Sequence, residues 1–258
     1  MISLKQFAYY TGTFLGLLSL VAVPVSAVSA KTAAATTSGS STTSSQSAKA
    51  AAKAASQAAA NQARLQLIIS RGNLEIDRRL TTLNTLSSKI ASATKLTSSD
   101  AATLNNTVTT DISALTTLKT NLDSATSVST AVTDAQSIIL DYRVYALVVP
   151  QVNIVKAADD QQATETKLSA LASKLSTRIS GSRSTSLQSD LSDMNAKITA
   201  AQGISSNMET SVITLVPSDY NTNHGVLTGD RNQLLTAQTD INDALNDAQQ
   251  IISQLPSS

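Results

Sequence analysis

Cysteine is absent from the 258 residues, which excludes disulfides, zinc-thiolate sites, iron-sulfur clusters and a thiol nucleophile. Tryptophan is absent as well. With two Phe, five Tyr and one His, the chain is too poor in aromatics to fill the broad core of a typical globular enzyme. Eight Gly and four Pro are too few for the many turns of a β-sandwich or barrel. Nor is there a surplus of one charge. Beyond residue 30, which removes only Lys5, the chain carries 18 basic and 18 acidic residues, so it lacks the basic excess that nucleic-acid binding requires. An all-α protein remains.

Residues 1–30 read as a secretory signal. Lys5 supplies the positive start, Phe14 to Val23 an apolar stretch, and Val25-Ser26-Ala27 and Val28-Ser29-Ala30 two small-residue cleavage sites. An uncleaved anchor is the alternative, because residues 8–28 carry no charge. Either way the rest of the chain is expected to be extracytoplasmic, secreted or attached to the cell surface. Residues 31–60 contain 24 Ala, Ser or Thr and read as a linker. Within it, residues 32–47 have no large apolar side chain to offset ordering entropy, which predicts a flexible tether. From Ala48, Ala with Lys and Gln predicts the start of a helix.

Beyond residue 61, apolar residues recur at intervals of three and four, the pattern of amphipathic helices. The first stripe runs through Leu65, Ile69, Ile76, Leu80, Leu83, Leu86 and Ile90. Thr97 with Asp100 three residues on reads as a capping box opening a second stripe of Leu104, Val108, Ile112, Leu115, Leu118 and Leu122. A third stripe, from Val128 through Val132, Ala135, Ile139, Tyr142 and Tyr145, reaches Pro150, where a kink is expected. Further stripes end at Ile179, with Gly181 as cap, and at Leu215. In the last, Leu227, Leu234, Ile241, Ala248 and Leu255 lie seven apart, with Leu245 and Ile252 as a second row. Short connections imply antiparallel neighbours. The expected architecture is an elongated antiparallel helical bundle: two three-helix bundles in tandem, residues 61–150 and 151–255, sharing a long helix bent near Pro150.

That layout resembles spectrin-type repeats, in which one helix is shared between bundles, although the tryptophan typical of those repeats has no counterpart here. Separately, the segments Arg71 to Leu80 (RGNLEIDRRL) and Tyr142 to Gln151 (YRVYALVVPQ) resemble uncharacterised exported α-helical, coiled-coil-like proteins of small-genome bacteria. The resemblance spans residues 64–255 and implies no activity.

Seven residues draw attention as structural or partner contacts: Arg78, Arg79, Asp141, Tyr142, Arg143, Tyr145 and His224. Arg78 or Arg79 is expected to pair with Asp141 beneath Tyr142 and Tyr145, fixing register between helices. His224, the sole histidine, lacks a recognisable nucleophile and orienting partner, so it reads as an exposed residue near a helix start. Residues 156–167 hold no large apolar side chain; Asp159, Asp160 and Glu165 lack the glycine and alternation of a calcium loop and read as a solvated helix face. Residues 138–155 form the most apolar stretch after the signal, interrupted by Asp141, Arg143, Gln151 and Asn153. No catalytic, cofactor or metal site is assigned. The expectation is a non-enzymatic structural or interaction module, a helical rod on a stalk, at the bacterial cell surface. Its partner would be an unknown protein or a cell-envelope polymer, with a homo-oligomer open and membrane contact only through an uncleaved N-terminal segment. The alternative is a membrane-active protein using residues 138–155.

Overall fold

A computed structural model describes residues 42–180 and 185–255 of the chain. The signal, residues 31–41 of the linker and the expected Gly181 cap lie outside the described residues. The described chain is all-helical: α1 (Thr42–Ser92), α2 (Ser98–Asp123), α3 (Val128–Leu140), a π-helical turn (Val144–Val148), α4 (Val149–Ser180), α5 (Thr185–Ile213), α6 (Pro217–Thr222) and α7 (Thr228–Gln254). Two units divide it, residues 1–61 and 62–258. In the first, α1 begins at Thr42, six residues ahead of the expected start, so part of the predicted tether is helical. The high helix propensity of the alanine-rich stretch behind it accounts for this extension. Every side chain described from Ser45 to Asn61 is exposed.

In the second unit, α1 and α2 form an antiparallel hairpin, pinned by Asn73 to Asp123, Lys119 to Asp77 (2.6 Å) and Ser87 to Asn105 (2.9 Å). Gly72 suits the close approach: a Cβ there would press on Cδ2 of the fully buried Leu122, forcing that side chain to shift. Thr97 caps α2 as expected, its hydroxyl accepting from the Asp100 amide at 3.1 Å. The Thr97 amide, which a capping box would satisfy locally, instead donates to Oδ2 of Asp159 on α4 at 2.7 Å. The hairpin tip is thereby tied to a distant helix.

Two hydrophobic cores result. The first joins Ile76, Leu83, Leu104, Leu115, Leu122, Ala131 and Ile138 to the π-helical turn, the start of α4 (Val152, Ile154, Val155) and the end of α5 (Met208, Val212). It thus draws on helices well beyond residue 150. The second is built from α4 (Leu168, Ala172, Leu175, Ile179), α5 (Leu187, Met194, Ile198, Ala201) and α7. Of the row seven apart, Leu227, Ile241, Ala248 and Leu255 are buried, but its companions on α7 are Ala237, Ala244 and Ile251. Leu245 and Ile252, expected as the second row, are 38% and 47% exposed. Alanines in the seam let the helices approach closely, and helix-helix distance tracks the size of the contacting side chains. In α3 the buried positions are Ala131 and Ile138, one residue before the expected Val132 and Ile139.

The helix between the cores is interrupted at Asp141 to Arg143, ahead of Pro150. The π-helical turn runs directly into α4, the Val149 amide donating to the Val144 carbonyl, so Pro150 lies inside a continuous helical run whose wider turn just ahead accommodates its missing N–H. Arg143 takes the left-handed conformation (φ 42°, ψ 34°), costly for a residue with a Cβ. Asn221 of α6 clasps the break. Its Nδ2 donates to the Leu140 carbonyl at 3.0 Å, satisfying an orphan acceptor at the end of α3, and its Oδ1 accepts from Arg143 Nε at 2.6 Å.

Candidate functional site

The seven residues singled out in the sequence fall into two clusters. In the first, Arg79 is buried and donates to a carboxylate oxygen of Glu75, one turn earlier on the same helix; Arg78 meets the other oxygen of Glu75 at 3.4 Å. Neither arginine pairs with Asp141, because Glu75 lies at the helical spacing that brings side chains together on α1. Tyr145 does cover Arg79, with the guanidinium 5.1 Å from the ring centroid. Tyr145 also meets the Thr82 hydroxyl at 3.4 Å. Beside it lies an open surface groove of about 370 Å³ lined by Leu74, Asp77, Arg78, Thr81, Thr82 and Tyr145.

In the second cluster, the Arg143 guanidinium stacks 5.4 Å from the Tyr220 ring, and Tyr220 lies 5.2 Å from the exposed His224 ring. Asp141 is exposed and Tyr142 half-buried. Burial raises the Tyr142 hydroxyl pKa, and the carboxylates of Asp141 and Asp111 add to the rise. Asp111 itself is pushed up to about 6 by burial, and its Oδ2 has no hydrogen-bond partner. His224 therefore contacts an aromatic ring beside the clasped helix break.

A third cluster was not anticipated. Residues 156–167, expected to be a solvated face, bury Asp159, Gln161 and Glu165. The missing apolar side chains are replaced by polar ties across the helices. Gln161 Nε2 donates to the Leu234 carbonyl of α7 at 2.9 Å, Gln162 donates to Glu209 of α5, and the Ser205 hydroxyl donates to Glu165 at 3.1 Å. Burial raises the pKa of Glu165, with the Ser205 bond opposing. Asp100 from α2, Asp159 from α4 and Glu209 from α5 converge, with one oxygen of each within 4.8 Å of the others. Burial, reinforced by Asp100 and Glu209, pushes the Asp159 carboxyl up to about 6 against the lowering effect of the Thr97 amide. Burial raises Glu209 too, with Gln162 opposing and Asp100 adding. Only Asp100 carried a sequence signal, its place three residues after Thr97; nothing in the spacing of Asp159 and Glu209 pairs them.

Gln151 is a further residue hidden from sequence reasoning, where it reads as a polar interruption. It is 1% exposed, and its Nε2 donates to the carbonyls of Val212, Ile213 and Leu215 at 2.8 to 3.1 Å. It therefore closes the C-terminal end of α5, whose last carbonyls have no partner within the helix.

No protein family, curated protein or solved structure matches this chain.

Proposed function

We propose that the chain is an exported, non-enzymatic structural or interaction module at the bacterial cell surface, a helical rod of two three-helix bundles in tandem on a stalk. The observation that carries this reading is the way the conspicuous charged and aromatic groups are spent. Arg79 is held by Glu75 and Tyr145, and Arg143 by Asn221 and Tyr220, so both serve helix packing instead of converging on a pocket. The signal-like residues 1–30 support the location. The exposed, basic stretch of α1 bearing Lys49 and Lys53, with no acidic residue between Ser45 and Asn61, suits contact with an anionic envelope polymer or a partner protein. Chemical cross-linking of the full chain on intact cells tests the reading. Recovery of one specific envelope component attached through residues 45–61 is expected; turnover of a substrate abolished by His224→Ala would overturn it.

A membrane-active role is the second reading. The stretch Val128–Ser180 is long and apolar enough to cross a bilayer, with mean hydropathy 1.4 over its best window. Half of that window is buried, and Ile138, Leu147, Val152 and Val155 fill the first core, so exposing it to lipid means dismantling that core. Dye-loaded liposomes separate the two: the rod releases none, whereas leakage with the intact chain favours the membrane role.

A further inference from the structure

The convergence of Asp100, Asp159 and Glu209 calls for a counter-charge. Asp100 and Asp159 are only 5% and 2% exposed, and the ion pairs among the described residues supply no basic partner to any of the three. The nearest basic group along α4, Lys156, is engaged with Asp160 at 2.6 Å. The neutral donors at the cluster are few. Thr97 gives its hydroxyl to Oδ2 of Asp100 (2.7 Å) and its amide to Oδ2 of Asp159, and Gln162 serves Glu209. A second observation is independent of the clustering: Oδ1 of Asp159 is enclosed and has no hydrogen-bond partner at all. An enclosed carboxylate oxygen without a donor is destabilising unless it takes up a proton or something positive faces it.

We propose that Asp100, Asp159 and Glu209 form the binding site for one hard divalent cation of the size of calcium. All the donors are oxygens, the preference of hard cations. Two oxygens on one ion can be no further apart than twice the metal-oxygen distance, which is about 4.6 to 5.2 Å for calcium and about 4.0 to 4.2 Å for magnesium. The three oxygens all lie within 4.8 Å of one another, no further apart than one calcium ion can bridge. The ligands come from three separate helices and not from one loop, so the ion fastens the start of α2 to α4 and α5 where the two cores meet.

The test uses the full chain stripped with a chelator, then titrated with calcium chloride or magnesium chloride while binding heat and melting temperature are followed. Calcium is expected to bind one per chain and to raise the melting temperature by about 5 °C at saturation. Asp159→Asn is expected to abolish both effects. Because that variant changes a buried residue, Glu209→Gln at a less buried position provides the second arm, with calcium affinity expected to fall at least about tenfold. No binding of either ion up to about 10 mM, well beyond the weakest natural calcium modules, would overturn the site. So would a preference for magnesium, a calcium response that both variants retain, or variants that are more stable than the parent while the parent ignores calcium.

Discussion

The second core and the first solve the same packing problem with different materials. In the second, α4, α5 and α7 meet through an uninterrupted seam in which Ala201, Ala237, Ala244 and Ala248 alternate with Ile and Leu. The ion pair of Lys197 with Asp247 at 2.8 Å also crosses it between α5 and α7. The first core takes in a helix break, a hairpin tip and two helix ends, and each irregularity exposes backbone groups that must be satisfied. Asn221 serves the end of α3, Gln151 the end of α5, and Asp159 the amide of Thr97. Regular seams need shape, and irregular ones need specific hydrogen-bond partners as well.

Truncating one large side chain in each core probes how far the two are independent. Leu115→Ala and Ile241→Ala each remove a fully or nearly fully buried residue, and each is expected to cost about 3 kcal/mol. Because α4 and α5 run through both cores, calorimetry should show one transition lowered as a whole in either variant. Two separate transitions, with only one displaced, would break the coupling. Next in size, Gln151→Ala strips three carbonyls at the end of α5 of their donor and should cost about 2 kcal/mol in chemical denaturation. Substituting the exposed Gln162 neighbour Thr166 with Ala serves as the reference, expected to stay within about 0.5 kcal/mol.

The smallest effect concerns pH and again singles out the polar region. Asp111 and Asp159 sit near pKa 6 when folded, against the ordinary carboxyl value of 3.8, and Glu165 is raised as well. Between about pH 4 and pH 6 the folded chain therefore binds protons that the unfolded chain has released. That stabilisation is present at the low end and is lost as pH rises through the folded values. In buffer free of divalent ions, the melting temperature should accordingly rise by a few degrees between pH 7 and pH 5, and Asp111→Asn should flatten the rise. An unchanged or falling melting temperature over that interval would contradict it.

Much of the helical plan was legible because apolar residues at three- and four-residue spacing leave a strong trace. The stripe from Leu104 to Leu122 and the Thr97 cap are where the pattern puts them. Three features left no such trace. The interruption falls at Arg143 and not Pro150, because the wider π-helical turn carries the helix through the proline, whereas a left-handed arginine has no compositional mark. The seam of α7 runs through alanines, so ranking positions by side-chain size selected the outward-facing Leu245 and Ile252. The segment 156–167 is devoid of large apolar groups yet buried, since its partners at Thr97, Ser205, Glu209 and Leu234 come from remote parts of the chain.

The wider turn at Val144–Val148 has one more consequence. A five-residue hydrogen-bond step advances the chain by one residue more than an ordinary turn, so it rotates every later side chain of α4 by roughly 100° about the axis relative to an unbroken coil. Deleting Ala146 there would leave the buried residues of each core in place and yet aim Leu168, Leu175 and Ile179 away from α5 and α7.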